Sequence, residues 1–271
     1  MIELHIKKPI HAIGLDIDEY HKIPNFSSSD INCFYQSGNT MLDFRSHYEY
    51  RLKGNKDRKP SESLILGQMT HLLLLEPDKI GPYGESVTAN FKIRKKTIDR
   101  LLEKATNMTK ELRQNRQCAH LLSQVDPLLE VENSFVWWND ALGAGLKSRP
   151  DAFHGNIILE IKTTKKGNAS PNLWKKVIRT MGYHRQAALI VDGMEQFFGI
   201  QDYYFIFLVV ENEFPFNHAV YQLNHNDIQL GRREYYEAVV SILQDYHNPN
   251  IRSYLDESCD EIMLISSAEE Y

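Results

Sequence analysis

The chain has 271 residues, 42% of them hydrophobic, 25% charged and 11% aromatic, which is ordinary globular composition with ample length for a buried core. Disordered, collagen-like and coiled-coil architectures are therefore excluded, and apolar runs such as 200–210 are too short or too interrupted to span a bilayer. No basic-then-apolar leader opens the chain, and the widely spaced Cys33, Cys118 and Cys259 make neither a disulfide framework, a zinc site nor a four-cysteine iron–sulfur cluster. The expectation is a reduced, cytoplasmic protein with no membrane partner, of formal net charge −5.

Residues 1–30 read as extended arms and turns ending in Ser27-Ser28-Ser29-Asp30, an N-cap cluster ahead of a helix at 31–35. Residues 51–62 read as a polar loop, and 63–76 as an apolar helix stopped by Pro77. His71 lies on that helix among leucines, a setting where a lone histidine is ordinarily a hydrogen-bonded core residue. Residues 94–124 predict one or two basic helices, and 92–117 carry nine Lys/Arg against three acids. That excess fits a solvated helix face as well as it fits a phosphate surface.

Next comes a β region, with strands expected at 131–138, 145–153 and 157–162. Glu132, at the start of the first, is either an edge carboxylate or a further acid near a metal. Trp137 and Trp138 fall on opposite faces, one for the core and the other free for a subunit contact. Pro171 suits a helix start, 172–193 is helical with Gly182 dividing it, 203–210 and 219–223 are strands, and 227–246 is a closing helix. Residues 162–185 hold seven Lys/Arg and no acid, whereas 186–271 hold three against fifteen acids. An acid-free basic block within an acidic chain is the footprint of a polyanion site. The sum is an α/β (α+β) domain, a central mixed β-sheet flanked by helices. An N-terminal arm and helix (1–62) would pack on a core (63–250) followed by an acidic tail (251–271).

The chemistry concentrates in Arg149-Pro150-Asp151 and Glu160-Ile161-Lys162. If Gly155-Asn156 is a two-residue primed turn, Asp151 faces Glu160 across the hairpin, and Lys162 shares the Glu160 face one step along. Two carboxylates that close repel unless a positive charge lies between them. A hard divalent cation fits, since it takes oxygen ligands, and a neighbouring ammonium can orient or help deprotonate an attacking water. The plainer alternative is a surface hairpin with an ordinary ion pair. Thr163 and Thr164 are phosphate contacts or strand caps, and Tyr183 with its neighbour His184 either stacks on a base or fills core space.

These two elements resemble the signature of the PD-(D/E)XK nuclease superfamily. Glu19-Tyr20-His21, the Ser27 to Asp30 cluster, Gly67-Gln68-Met69-Thr70-His71 with Leu75-Glu76-Pro77, and Tyr183-His184-Arg185-Gln186 narrow the resemblance. Together they are similar to the exodeoxyribonuclease VIII type of phage recombination exonuclease, over residues 14 to 245. The resemblance implies a restriction-endonuclease-like core and Mg²⁺, with Mn²⁺ as a substitute. It implies His71, Asp151, Glu160 and the Ile161 carbonyl as metal ligands, and Asp151, Glu160, Lys162 and Gln186 as the catalytic set. Arg149, Thr163, Thr164, Lys165, Lys166, Lys175, Tyr183 and Arg185 would contact DNA. The tyrosine that related nucleases carry four residues beyond the glutamine is Ile190 here, and Tyr183 is the expected substitute. The implied activity is 5′→3′ degradation of linear double-stranded DNA to 3′ single strands. A homo-oligomeric ring and a single-strand annealing protein are the implied partners. The rivals are a repair or CRISPR-type endonuclease and a catalytically silent DNA-binding scaffold on the same fold.

Overall fold

A computed structural model describes residues 4–36, 41–54, 59–123, 130–200 and 202–248; the acidic tail at 251–271 lies outside the described residues. A short strand β1 (Ile10–Ala12) precedes helices α1 (Ile17–Lys22), α2 (Ser28–Gln36), α3 (Met41–Leu52) and α4 (Glu62–Leu75). After a single 3₁₀ turn at Pro77–Lys79 come α5 (Ile80–Phe91), α6 (Lys95–Gln114) and α7 (Arg116–Ser123). Strands β2 (Glu130–Val131), β3 (Ser134–Asn139), β4 (Ala144–Ser148), β5 (Ala152–His154) and β6 (Ile157–Thr164) follow. Helices α8 (Pro171–Met181) and α9 (Tyr183–Phe198), strands β7 (Tyr204–Glu211) and β8 (His218–Gln222), and helix α10 (His225–Asp245) complete the fold.

The central sheet runs β2-β5-β6-β7-β8, parallel only between β6 and β7, with α8 and α9 carrying the chain between those two. Strand β7 explains the layering. Phe205, Phe207 and Val209 join one core with α2, α3, α8, α9 and α10, while Leu208 and Val210 join a second with α4, α5, α6 and α7. Alternate side chains leave opposite faces, so a strand apolar on both sides requires helices on both sides. Mixed α/β architecture with flanking helices is thus what the molecule has.

The meander differs from its expected form. The stretch rich in β-formers at 131–138 is two strands, because Glu132 takes a left-handed backbone (φ 53°) and the chain leaves the central sheet there. Likewise 145–153 is two strands, broken at Arg149-Pro150, where proline supplies no N–H to a ladder. Strands β3 and β4 instead form a separate antiparallel sheet with β1. Residues 1–30 are not only arms: α1 is capped by Asp16, whose carboxylate accepts from the Asp18 and Glu19 amides. The polar stretch at 51–62 is shorter than expected, since α3 runs to Leu52 and α4 begins at Glu62. Gly182 divides the helical stretch as expected, its left-handed conformation (φ 68°) closing α8 and opening α9. Among the described residues no helix is long and apolar enough to cross a membrane.

Candidate active site

The hairpin closes on Gly155-Asn156, with Gly155 at φ 54° and His154 paired to Ile157. The next pairs, Phe153 with Ile158 and Ala152 with Leu159, carry the register to Asp151 opposite Glu160. Side chains knit the two residues together. The Asp151 amide donates to Glu160 Oε1 (3.3 Å), and the Ile161 amide donates to Asp151 Oδ2 (2.7 Å). Lys162, two residues on and so on the Glu160 face, donates to Glu160 Oε2 (2.7 Å) and to Gln186 Oε1 (3.0 Å). Gln186 Nε2 closes the triangle on Glu160 Oε2 (3.1 Å), and the Tyr183 ring centroid lies 4.8 Å from the Lys162 ammonium. Tyr183 and Gln186 are one turn apart on α9, which presents them together.

His71 arrives from α4, in the opposite helical layer. Ser61 caps that helix by accepting from the Leu64 amide, and Gly67 faces β6, where an added Cβ would stand in ordinary contact, 3.4 Å from Thr163 Oγ1. His71 Nε2 lies 2.9 Å from the Ile161 carbonyl, which only accepts, so Nε2 carries the proton. Nδ1 then turns a lone pair toward Asp151 Oδ1, 3.4 Å away. Burial, with the Lys162 charge adding to it, holds the His71 pKa below its usual value and so favours the neutral ring.

Electrostatics set the character of the cluster. Burial is the largest influence on Asp151 and raises its pKa to about 7 against the pull of Lys162. Burial and then Asp151 raise that of Glu160, whose side chain is fully enclosed. For Lys162 burial opposes the charge, but the Glu160 and Asp151 carboxylates outweigh it and hold the ammonium protonated. Two lone-pair atoms facing each other at 3.4 Å need a positive charge between them; a proton on Asp151 serves, and so would a cation. Ligand atoms about 2.1 Å from a Mg²⁺-sized ion lie ~3 Å apart when adjacent, so the His71 and Asp151 atoms suit one ion.

The structure does not bring every expected residue to this cluster. Thr163 and Thr164 are half-buried just beyond Lys162, and Lys165, Lys166 and Lys175 are exposed, with Lys166 Nζ on the Phe214 carbonyl (3.0 Å). Arg149 is turned inward: Nε donates to Glu132 (2.5 Å) and Nη1 to the Leu15 carbonyl (2.9 Å). Arg185 is enclosed, bonded to Asn32 Oδ1 (2.9 Å) and Glu234 Oε2 (2.7 Å), with Tyr35 stacked on it. Both guanidiniums are therefore spent on internal partners. Ile190 is buried in the core, and Trp137 is buried while Trp138 is half-exposed beneath Lys7. The residue that sequence reasoning left between two roles is Glu132. It is half-buried, and with His71 and Asp151 it offers ligand atoms all within 4.8 Å of one another. Its signal was the polar pair Glu132-Asn133 interrupting an apolar, aromatic run.

A crystal structure from Eubacterium rectale, solved as "Putative exonuclease", aligns over 94% of this chain and 94% of its own with a TM-score of 0.67 and 13% identity; it shows the fold. A second, SSO0001, covers 78% of this chain and 83% of its own at 14% identity, and its TM-score of 0.28 carries no argument. No curated protein matches the chain. A family model does, over residues 38–261 and thus across both halves of the hairpin, α4 and α9: the chain belongs to the family described as the PDDEXK-like domain of unknown function (DUF3799).

Proposed function

We propose that this protein is a divalent-metal-dependent deoxyribonuclease that shortens linear double-stranded DNA from its ends. One observation carries the reading: His71, Asp151, Glu160, Lys162 and Gln186, from two helices and one hairpin, converge on a single cluster whose carboxylates lack a full complement of positive charge. The PDDEXK-like family and the exonuclease name of the Eubacterium rectale protein support the same class.

His71 and Asp151 would hold Mg²⁺, or Mn²⁺ in its place, together with Glu160 and the Ile161 carbonyl that the resemblance implies. A cation so held supplies charge neutralisation on the phosphate and a more acidic bound water. Lys162, its ammonium held charged by the Glu160 and Asp151 carboxylates, would donate a hydrogen bond to the attacking water or a phosphate oxygen, and it can help deprotonate that water once a cation draws on those carboxylates. Gln186 and Glu160 fix where that ammonium points. The exposed Lys165, Lys166 and Lys175 extend the basic run that would follow the phosphate backbone. The resemblance carries the finer points, 5′→3′ polarity, 3′ single-stranded products for an annealing protein and a ring of identical subunits, while the few, widely spaced cysteines support action in the cytoplasm.

End-labelled linear duplex and closed circular DNA, incubated with and without Mg²⁺, test the reading. The wild-type chain is expected to shorten the linear duplex and spare the circle, and Lys162→Ala to cut at least about 100-fold more slowly while still binding DNA. Nicked circles would favour the endonuclease. A chain that binds DNA but leaves both forms whole, with Mg²⁺ or Mn²⁺, is the silent scaffold.

A further inference from the structure

Glu132 is held more tightly than an edge carboxylate needs to be. It occupies the turn where the chain passes from β2 to β3, in a left-handed conformation that costs a side-chain-bearing residue about 1–2 kcal/mol. Its amide donates to the Asp151 carbonyl (3.0 Å), tying the turn to the metal-facing strand end. Its carboxylate receives Arg149 Nε (2.5 Å). Arg149 is itself anchored by the Leu15 carbonyl (2.9 Å) and Ser134 Oγ (3.5 Å), and its guanidinium stands 5.7 Å from the Tyr20 ring centroid. Strain of this kind persists where the surroundings over-determine it, and here they aim an acid at His71 and Asp151. Glu160, by comparison, already accepts from Lys162 and Gln186 at one oxygen and from the Asp151 amide at the other.

We propose that Glu132 is a ligand of the divalent cation, beside His71 and Asp151, and that Arg149 is its positioning residue. A carboxylate has two oxygens, so one can stay on Arg149 while the other ligates. The N-terminal segment around Leu15 and Tyr20 then reaches the metal at second hand, through Arg149. This assignment rests on the cation-dependent reading above.

Mn²⁺ binding to the full chain after chelator treatment, measured by calorimetry and by electron paramagnetic resonance, tests it without any activity assay. Glu132→Gln, which keeps an acceptor for Arg149, is expected to bind Mn²⁺ about 10- to 100-fold more weakly and to lose most of the Mn²⁺-induced rise in Tm. Arg149→Lys should fall between it and the wild type. If Glu132→Gln binds within twofold of wild type while Asp151→Asn does not bind, Glu132 is only the counter-ion of Arg149 and the proposal is overturned. If the wild type itself binds no Mn²⁺, or Asp151→Asn binds normally, the cation reading fails instead. Should Glu132→Gln not fold, Glu132→Asp takes its place. It keeps the charge but withdraws it by one methylene; at least about tenfold weaker binding supports the proposal, and unchanged binding overturns it.

Discussion

A carboxyl whose pKa burial raises to about 7 couples the site to pH in a definite direction. Below that value Asp151 holds a proton that a cation must displace; above it the position is free. Apparent Mn²⁺ affinity is therefore expected to rise about tenfold per pH unit up to about 7 and then level off, which a titration series from pH 5.5 to 8 checks. His71, its pKa lowered by burial and the Lys162 charge, gives up its own proton below the ordinary histidine range. In the metal-free chain the sign is opposite. The folded state holds a proton that the unfolded chain, with Asp151 at 3.8, releases, so this residue's contribution to stability is lost as pH rises toward 7. The identities of Asp151, Glu160 and Lys162 were legible from their spacing about Gly155-Asn156, because a strand period of two leaves little freedom once the turn is set. Glu132 was legible only as one of two alternatives, an edge carboxylate or an acid near a metal, since it joins the cluster by a break in a strand that its neighbours favour.

At the scale of elements, α4 shows how little room one helix position has against its strand. Glycine inside a helix costs about 1 kcal/mol relative to alanine, yet Gly67 stands where α4 meets β6. Gly67→Ala is expected to be tolerated, its added methyl just reaching Thr163 Oγ1 at 3.4 Å. Gly67→Val should push the helix away, cost about 1–3 kcal/mol in chemical denaturation and weaken Mn²⁺ binding about tenfold by moving His71. The long, strongly patterned helices α4, α6, α9 and α10 and strands β6 and β7 were readable in advance, being set by apolar periodicity, proline stops and Gly182. Helices α3 and α5 were not: α3 mixes polar and apolar residues without a clear face, and α5 opens on Gly81, Pro82 and Gly84, which read as a turn, so packing decides both.

Across the whole molecule, the N-terminal segment is bound to the smaller sheet and to α3 by enclosed polar groups. Lys147 Nζ, fully buried, donates to the carbonyls of Tyr20 (2.6 Å) and Ile23 (2.9 Å), while Arg51 reaches Asp30 (2.8 Å) and the Ile23 carbonyl (2.7 Å). His5 belongs to the same interior: Nδ1 accepts the Gly145 amide (3.0 Å) and Nε2 meets the Tyr48 hydroxyl (3.3 Å). Burial first, with nearby cations, lowers its pKa to about 4. The unfolded chain binds a proton below its ordinary 6.5 that the folded chain refuses until about 4, so stability is expected to fall across that interval by up to about 3 kcal/mol. His5→Asn, which keeps an acceptor near the Nδ1 position without titrating, should flatten this part of the pH–Tm curve.

The sequence by itself determined the hairpin register, the apolar helices on either side of it and the acid-free basic run, because all three follow from local periods and turn chemistry. Only the tertiary structure decided which charges meet. It turned Arg149 and Arg185 inward, brought His71 across from the other layer, and folded the Glu132 turn onto Asp151. Those outcomes depend on contacts between residues far apart in the chain, and side-chain period alone carries no information about them.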